Sequence, residues 1–335
     1  MTTEAKIQLS SSELGTLWMA YMSISARSKF YDYFKEKTID KEAKNMLTTA
    51  ATELEAIRNK ILNIFNNQGA VIPIGFDQRD ILKDAPPLFD DIFNIMFLRQ
   101  MTKFAFAHNA VYLSMSYSKE VSDIFKLHID VAKTYYTLTT NYLLGKGVLA
   151  KPPSVTMPKQ VEFIEDKNYM SGKNLFSEKR SLNTLEVGFL NEAIEDNIFG
   201  MQLMTGFAQV STESEVKKYF IEGKELAKKI ISNLGDILLQ SDIQPPSTWT
   251  GRATDSTQSP FSDKLMMYKT SLISRSALGF NALGTYFSLR SDLHAKLLPI
   301  SKTIFDYQKK GGKIMIEHKW MEEPPEMEDR NQLTK

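Results

Sequence analysis

The residues able to do chemistry are few, and their spacing restricts what they could do. The four histidines are His108, His128, His294 and His318. A helical Glu-x-x-His pair aims two metal ligands inward together, because positions three apart share a helix face. Three residues upstream of the histidines stand Ala105, Phe125, Ser291 and Met315, so none forms such a pair. The densest group of acids is Glu192, Glu195 and Asp196, within about one helical turn. Together with His128 these are weak metal candidates, and three acids on one turn are expected to form a solvated face. We assign no catalytic, cofactor-binding or metal-binding residue and expect no cofactor.

Other motifs fail on inspection. "LLGKGV" has Thr140 where a Walker A loop needs its first Gly, and Gly147 where it needs Ser or Thr. "GFNALG" (279 to 284) falls inside a predicted helix, where small residues favour close packing over phosphate binding. No Gly-x-Ser-x-Gly occurs. The absence of cysteine excludes disulfides, thiolate metal sites and a cysteine nucleophile together. Forty-one basic residues against 40 acidic give a formal charge of +1, so no global field draws the chain toward nucleic acid or an anionic membrane. No apolar run approaches the ~20 residues needed to span a bilayer, and the start "MTTEAKIQLSSSELG" lacks the pattern of a signal peptide. A cytoplasmic setting is expected, with spore association as a variant of it.

The elements that must position these residues are helices. "SSSE" at Ser10 to Glu13 has capping-box spacing and predicts a helix to about Lys37. Ala43, Leu47, Ala50, Leu54, Ile57, Ile61 and Ile64 then alternate steps of four and three, a heptad seam. "PPLFDDIF" opens a third helix, with Asp90 and Asp91 near its positive end. A fourth runs from about Ser118 to Leu144, with the stripe Val121, Phe125, His128, Ala132, Tyr135 and Tyr142. Four long helices without convincing strands predict a four-helix bundle.

The pattern then begins again. Val216, Phe220, Gly223, Ala227, Ile230, Leu234 and Ile237 each lie 173 residues after their counterparts in the first seam. Leu293, Leu297, Ile300, Ile304 and Tyr307 repeat the fourth-helix stripe at an offset of 172, which pairs His128 with Ile300. Asp91 pairs with Asp263, and Glu120 with Asp292. All four fall near predicted helix starts, where the dipole accounts for a carboxylate. The double prolines at 152 and 324 are also 172 apart. The reading is an internal duplication: a first bundle over 1–150, a connector over 151–181, a second bundle over 182–325 and a polar tail over 326–335. The connector is expected to pack across a bundle surface. "KIMIEHKWM", after Gly311 and Gly312, is expected to leave the helix as a short strand or hairpin.

Long helices with an extended crossover between the second and third suggest the ferritin-like arrangement. As a set, "SSSELGTLWMAY", "IPIGFDQRDI", "APPLFDD", "GKGVLAKPP", "GFAQVS", "PFSDKLMMY" and "IMIEHKWMEEPP" carry a resemblance that runs the whole length of the chain. The chain resembles a bacterial domain-of-unknown-function family of endospore-forming Gram-positive organisms, built of two ferritin-like four-helix bundles in tandem. Lys151 departs from the Arg expected before the first Pro-Pro. The resemblance implies an all-α fold and no catalytic residues. The expectation for function is a non-enzymatic structural or partner-binding protein, set in sporulation or stress physiology, whose partner is an unknown protein or itself in a homo-oligomer. The alternative is a small-molecule-binding or metal-dependent enzyme with an unconventional interhelical site.

Overall fold

A computed structural model describes residues 8–165, 167–171, 180–247 and 251–334. The helices are α1 (Ser11–Lys37), α2 (Lys41–Gln68), α3 (Asp91–Ser114), α4 (Lys119–Gly145), α5 (Thr184–Val210), α6 (Ser214–Leu239), α7 (Asp263–Phe287), α8 (Ser291–Glu317) and a last turn, α9 (Arg330–Leu333). No β-strand occurs among the described residues. The fold is all-α, with two four-helix units in tandem. The first residues of α1 and α5, and of α2 and α6, lie 173 apart; those of α3 and α7, and of α4 and α8, lie 172 apart.

Local chemistry sets the starts of these helices. Ser10 with Glu13, and Asn183 with Glu186, both form complete capping boxes. The two glutamates also reach outward. Glu13 accepts from the backbone N–H of Tyr117 at 3.0 Å and of Ser118 at 2.6 Å, which ties the start of α1 to the α3–α4 turn. Burial alone would push its carboxyl up, but these donors and Ser10 outweigh burial and hold it down to about 2. Asp91 and Asp263 likewise reach beyond the start of their own helices. Asp91 accepts from the N–H of Ile39 and Asp40, and Asp263 from the N–H of Thr212 and Glu213. The recurrence attributed above to the helix dipole therefore also ties together the two helix hairpins of each unit.

The units are joined through their centre. α1 touches α7 and α3 touches α5, whereas α2 with α4 and α6 with α8 complete each unit. Phe30 of α1 packs on Phe261 at 4.4 Å between ring centroids, and Phe93 stacks on Phe199 at 5.7 Å, so one apolar core crosses both units. The two long crossover loops pair with each other in antiparallel fashion. The N–H of Leu82 donates to the carbonyl of Pro260 at 2.8 Å, and that of Thr254 to Leu88 at 2.9 Å. Isolated bridges join Ile81 to Phe261 and Phe89 to Ala253. Since 253 − 81 and 261 − 89 both equal 172, exchanging the halves turns one bridge into the other. That is the signature of an approximate two-fold axis through the loops.

Two expectations are overturned. "KIMIE" is neither strand nor hairpin: α8 runs through Gly311 and Gly312 to Glu317. Gly311 permits a close approach that a side chain would block. Tyr219 and Tyr307 stack face to face at 4.2 Å, with Tyr219 against Gly311 and Tyr307 against Gly223, where a Cβ would collide with the ring. Two residues past the end of the helix, Lys319 has a φ of 57° that repeats that of Gly147, at 69°, 172 residues earlier. The first part of the connector does not pack across a bundle either, whereas its later part touches the second unit, where Ser291 Oγ of α8 donates to the carbonyl of Ser171 at 2.9 Å and Arg290 Nη1 to that of Arg180 at 3.0 Å. Residues 151–165 are all exposed and lack regular structure, because Pro152, Pro153 and Pro158 remove backbone donors and fix φ. Of the rest of the connector, residues 166 and 172–179 lie outside the described residues.

Candidate functional site

Glu192, Glu195 and Asp196 do not form a solvated face. They project from α5 onto α3, where Arg99, Gln100 and Lys103 meet them. Lys103 pairs with both Glu192 and Asp196. Gln100 Nε2 donates to Asp196 Oδ1 at 2.6 Å, and Arg99 Nη1 donates to Glu195 Oε1 at 2.5 Å. Burial disfavours the charge on Lys103, yet the three carboxylates hold its ammonium above the ordinary lysine range. Burial and the neighbouring charges of Glu192 and Glu195 push the Asp196 carboxyl up to about 6, against the pull of Lys103. The acids converge on ammonium and guanidinium groups. No group of three His, Asp or Glu side chains among the described residues is arranged to hold a metal ion.

His128, on α4, is far from those acids in role and contact. It is buried, and its Nε2 lies 2.9 Å from Nη2 of Arg27 on α1. Arginine can only donate, so Nε2 accepts and the proton sits on Nδ1. Burial, then the charge of Arg27, hold His128 well below the usual imidazole range. The arrangement makes His128 a neutral acceptor that orients a guanidinium.

Arg27 opens onto a cavity of about 30 Å³ between α1, α3 and α7, lined also by Met19, Ser23, His108, Lys269 and Ser276. Arg27 is 5 % exposed and Lys269 1 %. Lys269 lies 5.0 Å from the centroid of the Phe97 ring. Burial pushes the amine of Lys269 well below the lysine range, with Arg27 adding to the effect. His108, whose Nε2 is 3.5 Å from the Ser276 hydroxyl, is held at about 4 by burial and by its cationic neighbours.

Sequence reasoning missed Arg27, Lys103 and Lys269. A signal was present: each is a base set in a largely apolar helical stretch, as in "FLRQMTKFAF" and "LMMYKTSLI". A second surface feature is the connector, where Val155, Met157, Val161, Phe163 and Ile164 stand free, Val161 at 82 % and Phe163 at 84 % exposure.

A family model for a protein of unknown function, DUF3231, matches residues 1–161 and again 170–333. A comparison with curated proteins gave no match. A solved structure to which the chain is similar comes from Bacillus halodurans C-125 and bears the provisional name of a spore coat protein. It is 16 % identical over 45 % of this chain and 98 % of that one, with a TM-score of 0.42.

Proposed function

We propose that this protein, which belongs to the DUF3231 family of proteins of unknown function, is a non-enzymatic scaffold that engages a protein partner through its connector. The observation that carries this reading is the exposed stretch 151–165, with five large apolar side chains in the open. Val155, Met157, Val161 and Phe163 all occupy odd positions, which share one side of an extended chain. Such a segment can add to a partner as a strand and seat alternate side chains in pockets. The non-enzymatic half is supported by the engagement of the acidic and imidazole groups singled out in the sequence: the α5 acids with lysine and arginine, and His128 with Arg27. Sporulation or stress physiology is the setting we infer from the family resemblance, and proteomics of spore and vegetative fractions would decide it.

The test places a photo-crosslinking residue at Phe163 in the full chain, with an exposed control at Glu120. A discrete adduct at position 163, either to a second copy or to another protein, and absent when Val161 and Ile164 are changed to Ser, is the expected result. Equal adducts at both positions, or none at Phe163, would overturn the reading.

A further inference from the structure

The approximate two-fold relation between the halves exposes an imbalance of charge. At the α3–α5 contact, Lys103 meets Glu192 and Asp196. At the matching α1–α7 contact, offsets of 173 and 172 place Met19 where Glu192 would be, Met22 for Glu195, Ser23 for Asp196 and Arg275 for Lys103. The acids have no twins, whereas basic side chains are present on that side as well. Met19 and Ser23, the replacements for two of the acids, line the cavity described above.

Arg275 itself is exposed, and the bases that line this acid-free space are Arg27 and Lys269. Lys269 is the twin of Phe97, so an amine stands where the first unit has a ring. Apart from that ring, Lys269 has no hydrogen-bond or ion-pair partner among the described residues, although it is 99 % buried. The polar partners of Arg27 are the neutral His128 and the carbonyl of Ser23. The groups facing the pair are Tyr31 from α1, His108 and Tyr112 from α3, His128 from α4, and Tyr268 and Arg275 from α7; none is a carboxylate. The free acceptor on the wall, Asn109 Oδ1, is a neutral amide and does not balance the charge of Arg27. A buried charge without a counter-ion is costly, and a cavity of about 30 Å³ holds about two waters' worth of atoms.

We propose that the cavity between α1, α3 and α7 binds one small monovalent anion, a halide or the carboxylate head of a small acid, between Arg27 and Lys269. The anion takes the place that the α5 carboxylates fill at the matching contact. Arg27 supplies a fixed charge, since its guanidinium stays protonated. Lys269 takes up a proton as the anion enters, so binding tightens as pH falls. His128 accepts from Arg27 and holds the guanidinium in position.

The test uses the full-length protein at constant ionic strength, with gluconate, which is too large for the cavity, as the reference anion. Line broadening of ³⁵Cl is followed while formate, acetate or bromide competes. Competition by bromide and formate alike defines the shared site, and whichever acts at the lower concentration identifies the favoured source. Calorimetry in two buffers of different ionisation enthalpy should show net proton uptake on binding. Lys269→Met, close in shape and uncharged, should weaken binding roughly tenfold or more, as expected for losing a hydrogen bond to a charged group. Lys269→Arg should retain binding and lose its pH dependence. No competable broadening in the wild-type protein, or equal binding by Lys269→Met, would overturn the proposal. Because the wild-type measurement stands alone, a variant that fails to fold does not rescue it.

Discussion

Adjacent glycines in α8 should respond to the same substitution in opposite ways. A Cβ built on Gly311 would lie 2.6 Å from Cζ of Tyr219 and closer still to its hydroxyl, whereas one built on Gly312 meets nothing within 4 Å. Replacing a helix-interior glycine by alanine gains about 0.5–1 kcal/mol through backbone entropy, and both sites share that gain. Forcing a methyl into a filled core costs about 1–3 kcal/mol. Gly312→Ala should therefore stabilise by about 0.5–1 kcal/mol, and Gly311→Ala should destabilise by about 0.5–2 kcal/mol. The difference between the variants isolates the clash, because the shared gain cancels. Urea midpoints read by far-UV circular dichroism, compared at equal slopes, measure it. Gly223→Ala is the reciprocal case, with Tyr307 Cζ at 2.7 Å, and should resemble Gly311→Ala. The reasoning is refuted if Gly311→Ala proves as stable as Gly312→Ala.

Acid titration should single out Glu13. Its carboxyl is depressed in the folded state, so the stability it supplies is complete above its ordinary value of 4.5 and is lost as pH falls through about 2. Glu13→Gln should flatten the thermal midpoint across that window. Lys103→Met leaves Glu192 and Asp196 without their cation and should cost about 3–5 kcal/mol at neutral pH by guanidinium unfolding. Asp196 has a raised folded value, so its favourable contribution is present below its ordinary 3.8 and is lost as pH rises through about 6. The Lys103→Met deficit should accordingly shrink on acidification. Lys319→Gly relieves a left-handed backbone outside α8 and should raise the urea midpoint by about 0.5–1 kcal/mol in stability.

Helix positions were legible because the rules that set them are local. The seams of α2 and α6 are buried at every named position, and "SSSE" and "NTLE" cap where their spacing says. The end of α8 was misread because Gly311 and Gly312 look like a stop on propensity alone. The stripe nevertheless continues from Tyr307 through Gly311 to Ile314, and the reason for Gly311 is a ring on another helix. The α5 acids were misjudged for the same cause. Their partners Arg99 and Lys103 lie 89 to 96 residues away, and no spacing along α5 reveals them. Arg27 and Lys269 become meaningful when α1 and α7 are placed side by side.

The crossed loops carry a consequence for how the molecule holds together. Each loop offers backbone groups that its own unit leaves open, and the other unit fills them through Leu82 with Pro260 and Leu88 with Thr254. This is the isologous contact of a two-fold dimer, enclosed within a single polypeptide. Separate copies would meet through it only as their concentration allowed. Joined by a tether, the halves see each other at a high effective concentration whatever the dilution. A protease that nicked the exposed stretch 151–165 would sever the tether and leave the seam itself intact.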